Sequence, residues 1–296
     1  MKDILSGVGT ALVTPFQNNK IDFEGLERLI DYNIEGDIDY LVILGSTGET
    51  ATLSFDEKQQ LVNHTISYTD KRIPIVVGLG GNNTLEVEEK LNWCNKLPID
   101  AILSVCPFYN RPSQNGIRAH FKTIGNRSKH PVILYNVPAR TGINLNWETT
   151  INLAEEEKIC GIKEAYNNFD QINSLLANKP DDFLFLSGED SITFPILALG
   201  GDGVISVLSN LLPNEVSMMV KKTKASDFSA AREIHKRLNG FYCLINKEGN
   251  PASIKKSLEI IKIIRKEVRL PLVPASDYLG NRFNEELKKL GIINHP

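Results

Sequence analysis

Short apolar runs alternate with segments of helical spacing along roughly the first 210 residues, and this alternation limits the possible folds more than any other feature of the chain. Several of the helical segments begin at capping residues, such as Asp22, Ser54 and Thr84. Strands that alternate with helices at a step of roughly 25 residues form a parallel sheet. The eight runs typical of buried strands are residues 8–14, 40–44, 73–78, 101–106, 131–136, 159–163, 183–187 and 203–207.

Eight strand–helix units in about 225 residues favour a closed α/β barrel, the (β/α)8 TIM barrel, because a doubly wound open sheet usually has five or six strands. We therefore assign residues 1–224 to the barrel. The strand pattern stops near Pro213, and no linker rich in Gly, Ser or Pro follows it. We predict that residues 225–296 form a C-terminal helical extension packed on the barrel. The last segments with helical spacing are 214–224, 227–246, 251–266 and 276–290.

The composition excludes several classes of protein. The 33 Lys and Arg residues are scattered among 36 Asp and Glu residues, so nucleic acid is not expected as a partner. The histidines and cysteines lack the spacing of metal ligands, and we expect neither a metal nor another cofactor. Because no apolar run reaches about 18 residues, we expect no membrane partner. The widely spaced cysteines are expected to be reduced thiols in or near the core of a cytoplasmic protein.

Lys163 ends one of the apolar runs and brings an amine to the C-terminal end of a buried strand. Active sites of (β/α)8 barrels form at these strand ends. A lysine in water has a pKa of about 10.4, and burial in apolar surroundings lowers the pKa of a lysine by up to about 3–5 units, which releases a nucleophilic amine. Lys163 is therefore a candidate Schiff-base nucleophile. The alternative is a surface lysine that pairs with Glu164.

Three further strand ends present polar side chains. Residues 45–49 form Gly-Ser-Thr-Gly-Glu, a turn where backbone N–H groups and hydroxyls can converge on a carboxylate. Tyr135 lies near the end of its run and can carry a proton over a short distance, while Arg140 can clamp a carboxylate with its planar guanidinium. Tyr109 lies on a loop that flanking prolines keep extended. An amine, a phenol and a guanidinium at the ends of one barrel favour a shared catalytic role.

These motifs resemble, position by position, the pyruvate-dependent class I aldolases of the N-acetylneuraminate lyase family. The resemblance extends from Gly-Thr-Ala-Leu-Val-Thr-Pro-Phe at 9–16, through Leu-Gly-Gly-Asp-Gly-Val-Ile-Ser-Val at 199–207, to Leu-Pro-Leu-Val-Pro at 270–274. It implies a lyase in which pyruvate reacts as an imine. By the resemblance, Lys163 forms that imine and Tyr135 is the proton donor and acceptor.

The same resemblance implies further roles that spacing alone does not reveal. Ser46 and Tyr109 are implied to complete a proton relay, with Tyr109 contributed by a neighbouring subunit. The implied assembly is a homotetramer built from two dimers. Thr47 and Ile205 are implied to contact bound pyruvate, and Gly188 is implied to line the pocket.

Arg140 decides most of the choice of second substrate. In the resembled synthases the stretch Tyr-Asn-Val-Pro-x-Arg-Thr, here residues 135–141, binds the carboxylate of L-aspartate 4-semialdehyde, whereas the sialic acid lyases lack this arginine. We therefore expect condensation of pyruvate with L-aspartate 4-semialdehyde, in diaminopimelate and lysine biosynthesis. Ser46 departs from the threonine usual in these synthases but keeps the hydroxyl. Two alternatives remain: an aldolase or dehydratase of a sugar acid such as N-acetylneuraminate, and a non-catalytic barrel that acts as a binding or scaffold protein.

The resemblance also bears on feedback control. Family members that lysine inhibits strongly carry histidine on the helix after the Gly-x-Thr-Gly-Glu turn, and a pair of tyrosines in the fourth loop. The corresponding positions here hold Phe55, Lys58 and Phe108, although Asn82 and Glu86 match. We therefore expect weak or absent inhibition by lysine.

Overall fold

Eight parallel strands form a closed barrel in the computed structural model, which describes residues 1–293. In chain order the strands are β1 (Gly7–Ala11), β2 (Phe16–Gln17), β3 (Lys20–Ile21), β4 (Tyr40–Ile43), β5 (Ile75–Gly78), β6 (Ala101–Val105), β7 (Val132–Asn136), β8 (Ile159–Glu164), β9 (Leu184–Ser187) and β10 (Gly203–Ser206). The barrel order is β1, β10, β9, β8, β7, β6, β5, β4, while β2 and β3 form a separate antiparallel pair. The prediction of a (β/α)8 barrel is confirmed, because each predicted run overlaps one barrel strand.

Helices connect the barrel strands and continue after the last one. In chain order they are α1 (Lys2–Leu5), α2 (Phe23–Glu35), α3 (Phe55–Thr69), α4 (Thr84–Cys94), α5 (Gln114–Arg127), α6 (Pro138–Thr141), α7 (Trp147–Leu153), α8 (Phe169–Asn178), α9 (Thr193–Ala198), α10 (Pro213–Lys224), α11 (Phe228–Leu244), α12 (Ala252–Ile260) and α13 (Asp277–Lys289). None of the helices within residues 1–293 is long and apolar enough to cross a bilayer.

Two of the three predicted helix caps are confirmed. The side chains of Asp22 and Ser54 each accept a backbone N–H from the first turn of their helix. Ser54 also forms a reciprocal capping box with Glu57, whose carboxylate accepts the Ser54 N–H at 2.9 Å. The prediction for Thr84 is wrong by one residue, because Asn83 caps α4 and Thr84 is already helical.

The barrel strands are buried on both faces, which explains why they are continuous apolar runs rather than alternating ones. One core cluster fills the barrel, and a larger one lies between the strands and the surrounding helices. Gly9 shows how tightly the interior is filled, since a Cβ there would lie 2.1 Å from the ring of Tyr40. Leu5, on α1, belongs to the interior cluster.

The prediction of helices at the C-terminal end is confirmed for α11, α12 and α13. The helix predicted at 251–266 is longer than the one observed. Helix α12 ends at Ile260, and Lys262 has a left-handed φ of +61°. Residues 261–276, here called the crossing segment, bind the loops beside the barrel instead of continuing the helix. Glu267 accepts the backbone N–H groups of Asn18 and Asn19. The division of the chain at residue 224 remains a proposal, and residues 294–296 of the predicted extension lie outside the described residues.

The four cysteines differ in exposure. Cys94 and Cys106 are buried and Cys160 is partly buried, in agreement with the expectation of core or near-core thiols. That expectation is wrong for Cys243, which is exposed. Cys243 lies on α11, whose core-facing side holds buried residues such as Leu238 and Phe241, and its side chain lies off that side.

Candidate active site

A cavity of about 520 Å³ opens at the C-terminal ends of β4, β5, β6 and β7, the barrel edge at which the sequence predicted a site. Ser46, Tyr135 and Arg140 line it together. The C-terminal part of the chain contributes Asn250 and Pro271 to the same wall. The structure therefore brings three of the predicted site residues into one cavity and adds residues from the helical extension.

Lys163 and Tyr135 are neighbours on adjacent strands. The register of β7 and β8 places them directly opposite each other. The Lys163 Nζ lies 4.4 Å from the centroid of the Tyr135 ring, and the two residues are only 5% and 7% exposed. The alternative of a surface lysine paired with Glu164 is wrong, because consecutive strand residues point to opposite faces and the Glu164 carboxylate bonds to Asn136 and Gln171 instead.

The Gly-Ser-Thr-Gly-Glu turn follows β4 and is closed by backbone hydrogen bonds. The N–H of Gly48 donates to Gly45 O at 3.0 Å, and the N–H of Glu49 donates to Ser46 O at 3.1 Å. Thr47 is buried, and its hydroxyl accepts a hydrogen bond from Asn250 Nδ2 at 3.0 Å. The turn is thus fixed both by its own backbone and by a side chain from the far end of the chain.

Arg140 keeps most of its donors available at the cavity. It lies on the short helix α6, which begins with Pro138 at a position where the missing proline N–H has no helical acceptor. Its Nη2 donates to Asn250 O at 3.4 Å, and the structure gives it no other hydrogen bond to residues 1–293. An exposed guanidinium with free donors can bind a carboxylate through two parallel hydrogen bonds.

The remaining predicted site residues differ in their placement. Ile205 is fully buried and belongs to the cluster inside the barrel, together with Tyr135. Gly188 follows β9, where a Cβ would lie 2.7 Å from the Cβ of Ala165, so only glycine fits without a shift. Tyr109 is 89% exposed, and the cavity of this chain does not include it among its lining residues.

Glu49, the last residue of the Gly-Ser-Thr-Gly-Glu turn, forms a buried ion pair with Lys255 that the sequence did not reveal. Lys255 Nζ lies 2.5 Å from Glu49 Oε1, and both side chains are almost fully buried. Lys255 also donates to Glu267 O at 2.8 Å, while the second Glu49 oxygen accepts the N–H of Arg269 at 3.0 Å. Burial lowers the pKa of Lys255 to about 8, against the opposing effect of the Glu49 charge. The amine remains mostly protonated at neutral pH.

Asp190 is a second buried carboxylate near the site. It accepts the Ser206 hydroxyl and the backbone N–H groups of Val207 and Leu208, and so fixes the chain that follows Ile205. Burial raises its pKa, while the Ser206 hydrogen bond lowers it. Within residues 1–293, no group of His, Cys, Asp and Glu is placed to hold a metal ion.

The arrangement suits imine chemistry on a keto acid. An amine enclosed beside a phenol can attack a carbonyl, and the phenol can exchange the protons that imine formation requires. The hydroxyls of the turn and the free guanidinium offer two separate places for carboxylates. The cavity and the amine beside Tyr135 together supply the groups needed to join two small acids.

Comparisons with known proteins agree with this chemistry. A model of the dihydrodipicolinate synthetase family matches residues 4–290. A 4-hydroxy-tetrahydrodipicolinate synthase from Parabacteroides distasonis is 45% identical over 295 residues, 99% of each chain. The crystal structure of dihydrodipicolinate synthase from Thermotoga maritima has a TM-score of 0.96 and 38% identity, covering 98% of this chain and 100% of that one. A monomeric variant of dihydrodipicolinate synthase has a TM-score of 0.96 and 37% identity over 99% of both chains. The chain belongs to the dihydrodipicolinate synthetase family.

Proposed function

We propose that this protein condenses pyruvate with L-aspartate 4-semialdehyde to give 4-hydroxy-tetrahydrodipicolinate, the first committed step of diaminopimelate and lysine biosynthesis. The observation that carries the proposal is the enclosed amine of Lys163, 4.4 Å from the ring of Tyr135, which in turn lines a cavity that also presents Arg140. The family match over residues 4–290 supports it.

In the first half of the proposed reaction, pyruvate binds with its carboxylate at the turn that holds Ser46 and Thr47. Ile205 and Gly188 form part of the wall of this proposed pyruvate site. Lys163 attacks the ketone carbon, and loss of water leaves an imine. Removal of a methyl proton then moves electrons into the imine and gives an enamine. We assign the proton transfers to Tyr135, whose ring centroid lies 4.4 Å from the amine.

In the second half, Arg140 holds the carboxylate of the semialdehyde while the enamine carbon attacks its aldehyde. The new C–C bond restores the imine, and the aldehyde oxygen takes up a proton. The amine of the added substrate then attacks the imine carbon, which closes the ring and releases Lys163. Binding both acids in one cavity makes these steps intramolecular and provides much of the rate enhancement.

Arg140→Ala is expected to lower kcat/KM for the semialdehyde by about 10–100-fold, because a charge-assisted hydrogen bond to a carboxylate contributes about 1.5–3 kcal/mol. Formation of the pyruvate imine should remain unchanged, since it precedes the step that needs Arg140. A coupled assay with both substrates measures the first effect and borohydride trapping the second. Arg118→Ala, which removes an exposed arginine of α5, is the matched control.

The same assay separates the proposed function from its alternatives. Wild-type enzyme is tested beside N-acetylneuraminate and a set of keto-deoxy sugar acids. Cleavage of one of these acids, without turnover of the semialdehyde, would identify a sugar-acid aldolase. Failure to form any imine with pyruvate would instead support a binding or scaffold protein.

We further propose a homotetramer built from two dimers, in which Tyr109 of one subunit joins Ser46 of its neighbour in a proton relay. Tyr109 is 89% exposed and has a left-handed φ of +70°, which is costly for a residue with a side chain. An exposed aromatic residue held in such a conformation suits a contact with a second subunit. Since one relative is a monomeric variant, sedimentation velocity at the assay concentration is the direct measurement of assembly.

Inhibition by lysine is expected to be weak or absent. Phe55, Lys58 and Phe108 line the outer part of the cavity, where Lys90 pairs with Glu86 at 3.5 Å. Burial, and then the charge of Lys90, lowers the pKa of Lys58, so two amines already share this space. A third amine would add like charge there. Initial rates measured with increasing lysine test the expectation, and a micromolar inhibition constant would contradict it.

We place this activity in the cytoplasm, without a nucleic acid or membrane partner. The four cysteines of residues 1–293 are all free in the structure, which fits a reducing compartment. The balance of 33 basic and 36 acidic residues supports a small-molecule enzyme rather than a nucleic-acid-binding protein.

A further inference from the structure

Glu164 is a buried carboxylate directly after Lys163, on the outer face of β8. It is only 1% exposed, and the hydrogen bonds it receives come from β7, from α8 and from the loop that follows β8. Asn136 Nδ2 donates to its two oxygens at 2.9 and 3.1 Å, Gln171 Nε2 donates at 2.9 Å, and the backbone N–H of Tyr166 donates at 2.9 Å. Each of these contacts brings a donor to the carboxylate.

The two amides cannot rotate to offer an acceptor without losing other bonds. Asn136 Oδ1 accepts the backbone N–H of Leu145 at 3.0 Å, and a backbone N–H can only donate. Gln171 Nε2 donates to the backbone O of Leu145 at 3.2 Å, and a carbonyl can only accept. Asn144 bonds to both amides and reinforces the same orientation. Glu164 is therefore surrounded by groups that require it to be an acceptor, which is the ionised form.

The network holds the strand ends that carry the proposed catalytic pair. Asn136 follows Tyr135 on β7, and Glu164 follows Lys163 on β8, so the side-chain bond between Asn136 and Glu164 lies beside the register pair of Tyr135 and Lys163. The backbone O of Glu164 also accepts the N–H of Gly188 at 2.7 Å. One carboxylate thus fixes the spacing of the two strands at the point where amine and phenol meet.

Burial makes the charge of Glu164 sensitive to pH near neutrality. It raises the pKa of Glu164 to about 7, although the hydrogen bonds from Asn136 and Gln171 lower it. The titratable side chain that faces Glu164 from the end of β6 is Cys106, whose pKa is raised by its own burial first and by the Glu164 carboxylate second. Lys163 is on the opposite face of β8. If Glu164 took up a proton, its new O–H group would face only hydrogen-bond donors and would have no acceptor.

We propose that Glu164 is a positioning residue, whose ionised carboxylate ties β7 to β8 and holds Lys163 and Tyr135 in the geometry for imine formation. The proposal rests on the proposed function, because it assigns a role within that reaction. Wild-type activity should be present above about pH 7 and should decline as the pH falls through about 7, because protonation replaces an acceptor by a donor.

Two variants test this role through the pH dependence of imine formation from pyruvate, followed by borohydride trapping and intact mass. Glu164→Gln should form the adduct about 10–100-fold more slowly, because small misplacements of reacting groups have effects of this size. Its acid decline near pH 7 should disappear, since the titrating group is gone. Gln171→Met removes one donor to the carboxylate and should move the acid decline to higher pH.

Glu148→Gln makes the same change of acid to amide at an exposed position of α7 and should keep the wild-type profile. A folded Glu164→Gln variant that retains the wild-type acid decline would overturn the proposal. If Glu164→Gln does not fold, an unchanged acid decline in Gln171→Met would overturn it equally. Absence of any pyruvate adduct on the wild-type protein would refute the proposed function itself. Failure of the Glu164 proposal is therefore distinguishable from failure of the proposed function.

Discussion

Lys163→Ala is expected to abolish the pyruvate adduct that borohydride traps on the wild-type protein, and to lower kcat at least about 1,000-fold. The covalent route is lost because Lys163 supplies the only amine within residues 1–293 that lies over the Tyr135 ring. Intact mass spectrometry after reduction measures the adduct, and the coupled assay measures kcat. The same adduct on Lys163→Ala would show that a different lysine forms the imine.

Two controls make this result specific. Lys158→Ala removes a more exposed lysine just before β8 and should keep the adduct and the activity. Mixing Lys163→Ala with Tyr109→Phe under conditions of subunit exchange should recover part of the activity, because each variant carries the residue that the other lacks. Recovery would also show that Lys163→Ala is folded and that Tyr109 acts on a neighbouring subunit.

Lys255→Met is expected to lower the free energy of unfolding by about 3–5 kcal/mol, since it leaves the Glu49 carboxylate buried without its counter-charge. The pair lies beneath the turn that presents Ser46 and Thr47, so activity should fall as well. Urea denaturation followed by circular dichroism measures the change in stability. A loss of less than about 1 kcal/mol in the free energy of unfolding would mean that the buried Glu49 carboxylate does not need the charge of Lys255.

The double variant Glu49→Gln with Lys255→Met removes both charges and should recover part of the stability, because no unpaired charge then remains in the interior. Lys221→Met is the matched surface control. Lys221 pairs with Asp37 where both side chains are largely exposed, and this change should alter stability by less than about 1 kcal/mol. The difference between the stability losses of Lys255→Met and Lys221→Met measures the effect of burying the ion pair.

The barrel could be predicted from the sequence because parallel strands covered on both faces are apolar along their whole length. The end of α12 could not, since apolar residues continue past Ile260 at helical spacing while the crossing segment follows contacts with distant loops. Those contacts involve Glu267 with Asn18 and Asn19, about 250 residues earlier in the chain. Local spacing contains no information about partners at that distance.

The site shows the same limit. Lys163 and Tyr135 could be predicted because residues near the C-terminal ends of barrel strands lie at the active-site edge of the barrel. Glu164 was considered only as a partner of Lys163, and the strand geometry that turns it outward also turns it away from the amine. Asn250 could not be predicted as part of the site, because its bond to Thr47 joins residues 203 positions apart.

The pair of Glu49 and Lys255 also has a consequence for the order in which the protein is assembled. The two residues are 206 positions apart, so the ribosome has made the whole barrel before the partner of Glu49 exists. Until then the turn after β4 carries a carboxylate that cannot be buried at low cost. The mouth of the cavity is thus completed last during synthesis, and a nascent barrel remains unable to hold substrate until its C-terminal helices arrive.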